Sequence, residues 1–96
     1  MTTQVRDAAD RTRYEASVEE HLAAFAEYRD RGELRVFTHT EVLDGYEGKG
    51  VGSDLVRGAL DDVRERGLRA VPLCPFVRAY IKRHQEYADL VADLRG

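Results

Sequence analysis

Gly48, Gly50 and Gly52 alternate along Glu47-Gly48-Lys49-Gly50-Val51-Gly52, between an alternating apolar run and a helical stripe. Glycine lets the main chain approach a ligand closely and take positive φ. The first N–H groups of a following helix have no intrahelical partner, and the helix dipole favours negative charge there. The chemistry implied is capture of a phosphate-bearing cofactor by backbone amides, with Lys49 the nearby cation. The competing reading is a surface turn that caps a helix. Upstream, His39 and Glu41 share one face of an extended run, opposite Thr38 and Thr40. Histidine is the natural base near neutrality, and Glu41 could orient it; a hydrogen-bonded sheet histidine beside a solvated glutamate is the alternative. Cys74 precedes Pro75, where a helix N-terminus could lower a thiol pKa. It is either a nucleophile or a small buried residue.

A Walker A loop needs Gly-x-x-x-x-Gly-Lys-Ser/Thr, but Gly50 follows Gly48-Lys49 and Leu43 stands five positions before Gly48. A dinucleotide fingerprint needs Gly-x-Gly-x-x-Gly, and Ser53 occupies the place of its third glycine. What remains, x-x-x-Gly-x-Gly opening a helix, resembles the acetyl-CoA pyrophosphate loop of the GNAT acetyltransferase superfamily, Gln/Arg-x-x-Gly-x-Gly/Ala. Gly50-Val51-Gly52 matches its last three positions, and Glu47 departs from the first. His39-Thr40-Glu41-Val42, Gly48 to Gly52, Pro72-Leu73-Cys74-Pro75-Phe76-Val77 and His84-x-Glu86-Tyr87 follow in order. Together they resemble the short, single-domain acetyltransferase-like group, with its His-Thr-Glu-Val, Gly-x-Gly-x-Gly, Pro-Leu-Cys-Pro-Phe and His-Pro-Glu-Tyr. Gln85 stands where that group has proline.

The resemblance implies an acetyl-CoA-dependent N-acyltransferase that passes acetyl directly to an amine. It implies a cofactor site of Val42, Glu47, Gly48, Lys49, Gly50, Val51, Gly52 and Cys74. Cys74 takes the place of the superfamily's Asn in Asn-x-x-Ala, with Val77 for the alanine. The group carries His39 and Glu41. Tyr80 lies near the position of a tyrosine that protonates the departing thiolate, although the spacing puts Ile81 at the match. Lys82, Arg83 and His84 could meet the cofactor's 3′-phosphate or simply complement a helix dipole. Two other functions compete: a CoA- or acyl-CoA-binding or partner-binding module with little turnover, and a nucleotide-binding protein using the same loop.

These residues need elements to hold them. Val5 to Ala8 and Arg13 to Val18 read as strands joined by a turn at Asp10 to Thr12. His21 to Arg29 is alanine-rich, which favours helix, yet Leu22, Ala24, Ala26 and Tyr28 also make a strand face; the resemblance implies strand. A turn at Asp30 to Gly32 leads into a strand from Leu34 to Val42. Val51, Leu55, Val56, Ala59, Leu60 and Val63 form the stripe of a helix from Val51 to Arg66, stopped by Gly67. Gly58 inside it reads as close packing. A strand follows from Leu68 to Cys74, edge or bulged because Pro72 has no donor. Pro75 opens a helix to Arg83, and a last helical segment from Tyr87 to Leu94 turns Leu90, Val91 and Leu94 inward. The expected fold is α+β: an antiparallel meander, then a parallel strand-helix-strand unit and C-terminal helices, as the GNAT resemblance implies.

Ninety-six residues allow a single domain, 1–96. A net charge of −3 argues against non-specific nucleic-acid binding. No apolar run could span a bilayer, no signal peptide is visible, and one cysteine fits a reducing cytoplasm. His21, His39, Cys74 and His84 are too scattered to suggest a metal. Ala9 to Thr12 leaves room only for a turn where GNAT enzymes carry helices over the acceptor. An open acceptor side follows, to be completed by an exposed peptide, another protein or a second copy in a homodimer.

Overall fold

The structure, a computed structural model, describes residues 2–94. Five strands lie in sequence order: β1 (Thr3–Ala8), β2 (Arg13–Val18), β3 (His21–Arg31), β4 (Leu34–Val42) and β5 (Arg69–Pro72). β1 to β4 pair antiparallel, and β4 pairs β5 in parallel. Helix α1 (Val51–Glu65) crosses between β4 and β5, and α2 (Pro75–Arg83) follows β5. This is the mixed α+β sheet expected. A single 3-10 turn, Ala9–Arg11, joins β1 to β2.

The alanine-rich segment is a strand because both its neighbours claim it. β3 pairs β2 on one side and β4 on the other. Ala24, Ala26 and Tyr28 are buried, while Glu27 and Phe25 on the other face are half-buried. Two complete ladders outweigh an intrinsic preference of tenths of a kcal/mol per residue.

α1 touches every strand. All six residues of its apolar stripe are at most 1% exposed. Such burial contributes roughly 1.5–3 kcal/mol per large aliphatic side chain. Gly58 is where α1 crosses β1; a Cβ there would stand 2.8 Å from Cβ of Val5. The helix ends in a Schellman motif: the Gly67 amide donates to the Arg64 carbonyl and the Leu68 amide to the Val63 carbonyl. α2 shares the α1 hydrophobic cluster through Val77, Tyr80 and Ile81, so both helices cover one sheet face.

The C-terminal segment differs from the expected helix. A 3-10 turn covers Gln85–Leu90, and Val91 is extended, bridged in parallel to Ala70. Leu90 is buried, but Val91 and Leu94 are exposed at 37% and 38%. The cause is non-local: Arg64 pairs with Asp89, the Tyr87 hydroxyl donates to Asp61, and the Arg69 guanidinium donates to the Val91 carbonyl. Gln85 caps α2 from its side chain, donating to the carbonyls of Ile81 and Lys82 at 3.1 and 2.9 Å. A proline there could not do this.

A buried polar cluster locks the sheet end remote from the glycine loop. Arg35 donates twice to Asp30 at 2.8 Å and once to the Tyr14 hydroxyl at 2.8 Å. Its guanidinium lies 4.0 Å from the Tyr28 ring centroid. The Tyr14 and Tyr28 hydroxyls donate to Asp62 and Asp7. One arginine thereby ties β1, β2, β3, β4 and α1.

Candidate active site

Strand β4 changes character at Thr38. Tyr28 pairs Phe37 and Glu27 pairs His39, so Thr38 is an extra residue without a partner. Such an insertion re-aims the side chains beyond it. Phe37 packs with Tyr14 and Tyr28 under the helices. Strict alternation would put His39 and Glu41 there too. The shift sends them to the uncovered face, beside Glu27 and Phe25, and returns Thr40 to the helical side.

β5 stops at the same level. The parallel ladder covers Leu34 to Phe37 against Arg69 to Pro72. Its last link is the Cys74 amide, donating to the Phe37 carbonyl at 3.0 Å. From Thr38 to Val42, β4 is paired to β3 alone. Cys74 is the N-cap of α2, and its Sγ lies 3.3 Å from the Thr40 hydroxyl. The thiol is buried.

On the uncovered face the His39 Nε2 and a Glu41 carboxylate oxygen are 3.3 Å apart, both side chains about half exposed. The Phe25 ring centroid is 6.3 Å from that of His39, and the Arg13 guanidinium lies 4.4 Å over Phe25. Glu15 is held between Arg6 and Arg13 at 3.0 and 2.8 Å. Histidine and glutamate are therefore adjacent and solvent-accessible.

At the end of β4 the glycine loop opens a cleft of about 380 Å³, walled by Val42, Tyr46, Glu47, Gly48, Gly50 to Ser53, Phe76 and Arg83. Gly50 is the N-cap of α1 at φ 80°, and the Asp54 amide makes the first helical bond to its carbonyl. A Cβ at Gly50 would meet nothing within 4 Å, so the space beside it is free for a ligand. Gly52 is needed for packing instead, since a Cβ there would stand 2.7 Å from Cζ of Phe76. Its smallness seats α2 against α1. Glu47 accepts the Gly45 amide at 3.0 Å, which braces the loop. Lys49 stands on the loop but does not line the cleft.

The structure thus gathers Val42, Glu47, Gly48, Gly50, Val51 and Gly52 around one cleft, which neither Lys49 nor Cys74 lines, and puts His39 and Glu41 on the uncovered sheet face. Tyr80 is elsewhere. Its ring stacks on His84 at 4.1 Å between α1 and α2, where burial raises its pKa. Thr40 and Phe76 sit at the site without having been given a role in it, whereas Arg83, read from its basic cluster as a partner for the 3′-phosphate or a complement to the helix dipole, lines the cleft. Thr40 lay within the His-Thr-Glu-Val motif and Phe76 within the Pro-Leu-Cys-Pro-Phe motif, so both left a signal. Among the described residues no His, Cys, Asp and Glu group could hold a metal ion, and no helix is long and apolar enough to cross a membrane.

A parallel pair parted at Thr38, with a glycine-capped helix at its opening, defines the acetyltransferase type of α+β fold. The family model of the GCN5-related N-acetyl-transferases matches residues 13–90, and the chain belongs to that family. Acetyl transfer is the activity after which that family is described. Protein NATD1 of Xenopus tropicalis is 32% identical over 87 residues, covering 86% of this chain and 80% of that one. Protein NATD1 of Gallus gallus is 41% identical over 46 residues, 48% of this chain, and the alignment spans only 42% of that relative's length. The fold is shared with a GCN5-like protein of Staphylococcus aureus at 22% identity and TM-score 0.70, over 95% and 89% of the two chains. It is shared with the PaiA N-acetyltransferase of Thermoplasma acidophilum, solved with coenzyme A, at 14% identity and TM-score 0.55, over 77% and 48%.

Proposed function

We propose that this chain is an acetyl-CoA-dependent N-acyltransferase that transfers acetyl directly to the amine of a protein or peptide. The observation that carries the proposal is the division of β4 at Thr38. It leaves a one-sided strand segment leading into the glycine cleft and sets His39 and Glu41 on the opposite, uncovered face. Acetyl-CoA, when bound, supplies the acyl thioester. The free amides at the start of α1 hold its phosphates, and the space beside Gly50 admits them. The coenzyme A carried by the PaiA structure supports the same class of ligand.

His39 takes a proton from the attacking amine, and Glu41, 3.3 Å away, orients the ring and stabilises its charged form. A backbone amide near Val42 polarises the carbonyl as negative charge develops on its oxygen. Cys74 lines the acyl end without carrying the acetyl group. Its buried thiol has a neutral hydroxyl, Thr40, as neighbour, where an activated thiolate needs a cation or a base. The uncovered face suits an extended segment of another protein, since Ala9–Arg11 supplies no covering helix.

That bareness also favours a second reading, a CoA-binding module with little turnover. Calorimetric titration with acetyl-CoA, beside CoA release in the presence of peptide amines, separates the two. Binding with amine-dependent release is expected. Binding without release over a broad amine panel selects the module, and tighter binding of ATP than of acetyl-CoA rejects both.

A further inference from the structure

We infer that Arg83 holds the diphosphate of the cofactor from the wall opposite the glycine loop, while Glu47 serves the loop and not the ligand. The inference rests on the cofactor reading above. Glu47 and Arg83 are the two charged residues that line the cleft. Glu47 is committed to its own backbone through the 3.0 Å bond from the Gly45 amide. Its carboxylate nevertheless brings negative charge to a cleft meant for phosphates. The amides at the α1 N-terminus supply only partial positive charge, so a full cation is needed to offset both the ligand and Glu47.

Lys49, the cation nearest in sequence, does not line the cleft; Arg83 does. Arg83 is the last residue of α2 and forms no ion pair among the described residues, so its guanidinium is uncommitted. A planar guanidinium can grip two phosphate oxygens at once, which an ammonium cannot. Placing that grip on α2 has a mechanical consequence. Phe76 near the start of α2 and Arg83 at its end both line the cleft that the start of α1 also walls, so a ligand held there braces the two helices.

The test is titration of wild type, Arg83→Ala, Arg83→Lys, Glu47→Gln and the Glu47→Gln/Arg83→Ala double variant with CoA and with dephospho-CoA. Glutamine keeps an oxygen for the Gly45 amide and removes the charge. Arg83→Ala is expected to weaken CoA about tenfold, since a charge-assisted contact is lost. It should weaken dephospho-CoA equally, because that ligand retains the diphosphate. Arg83→Lys should recover part of the loss. Glu47→Gln should tighten both ligands by about threefold in either background, the scale of a screened charge. The thermal midpoint of the ligand-free protein should not move with Arg83→Ala. Unchanged affinity in Arg83→Ala overturns the inference while leaving the cofactor reading intact. A loss confined to CoA also overturns it, because it assigns Arg83 to the 3′-phosphate. A wild type that binds neither ligand overturns the cofactor reading and this inference together.

Discussion

Replacing Gly52 by alanine puts a methyl carbon 2.7 Å from Cζ of Phe76 and 3.2 Å from Cγ2 of Val42. The first distance is closer than carbon atoms tolerate, so Phe76 must move. Phe76 is 38% exposed and can yield, which puts the expense toward the low end of the ~1–3 kcal/mol typical of overpacking. Alanine returns up to about 1 kcal/mol through its better helix propensity. The single variant should therefore lose about 0–1 kcal/mol. In a Phe76→Ala background the clash is gone and the propensity gain remains, so the same substitution should be neutral or slightly stabilising. The two positions should couple by about 1 kcal/mol, measured by urea unfolding of the four proteins, well above the ~0.3–0.5 kcal/mol within which independent sites add. The functional arm is acetyl-CoA affinity. A displaced Phe76 intrudes on the cleft it lines, so Gly52→Ala should weaken binding in the wild type and do little beside Phe76→Ala. Equal loss of affinity in both backgrounds would mean that the new methyl meets the ligand itself, and the packing role of Gly52 would be refuted.

Other expectations follow from the same contacts. Saturating acetyl-CoA should raise stability by about 2.7 kcal/mol at about one hundred times Kd, with ATP and NAD giving much less in a thermal-shift series. Arg35→Ala should lose about 3 kcal/mol in urea, because it takes the buried cation from Asp30 and from the Tyr14 hydroxyl and leaves Asp7 with only the longer Arg66 contact to a cation; a loss under about 1 kcal/mol would mean water replaces it. Burial and a bond to Asp7 push the Tyr28 phenol up to about 12 from its ordinary 10. Tyr14 and Tyr87 move in the same direction, burial leading in each. A raised folded pKa stabilises fully below the unfolded value and is lost as pH rises through the folded one. The urea midpoint should therefore fall between pH 10 and about 12, and a flat profile there contradicts the hydroxyl bonds. Cys74→Ser should reduce turnover only partly, and His39→Ala or Glu41→Ala more. A stoichiometric acetyl adduct on intact mass, absent from Cys74→Ser and discharged by amine at the turnover rate, would establish a covalent route instead.

What was legible in the chain was local. The α1 stripe, the Gly67 stop and the strand alternation of Arg13 to Val18 depend on neighbours within a turn or a pleat. The order of glycines pointed to the cleft because a helix N-terminus is built from consecutive residues. The less legible parts depend on distant partners. Leu90, Val91 and Leu94 have helical spacing, yet Ala70 claims Val91 as a strand neighbour across the chain. The distinct duties of Gly50 and Gly52 could not be separated by spacing, since one is set by φ and the other by a ring 24 positions away. Arg35 read as one arginine among many until Asp30, Tyr14 and Tyr28 converged on it. Glu47, a departure from the superfamily loop, became intelligible through Gly45 in the same way as Gln85 did through Ile81 and Lys82.

Thr38 shows why so short a chain can still build two sides to a site. A regular β4 would continue its pairing and keep Phe37, His39 and Glu41 on one face, under the helices. One inserted residue reverses the faces beyond it, so the ionisable pair reaches solvent and Thr40 meets Cys74. β5 parts company at the same level, because Pro72 offers no amide and the Leu73 amide turns back to the Val71 carbonyl. The ladder then closes with a single bond from Cys74. Two backbone irregularities on adjacent strands thus create a strand edge with the glycine cleft on one side and the His39–Glu41 pair on the other. Deleting Thr38 probes this arrangement without touching a reactive group: Phe37 stays beside Tyr28 and His39 beside Glu27, so His39 and Glu41 keep the uncovered face without the bulge and turnover should survive in a folded deletion variant. Loss of turnover in a folded deletion variant that still binds acetyl-CoA would show that the bulge itself, and not the register of β4 alone, places the base.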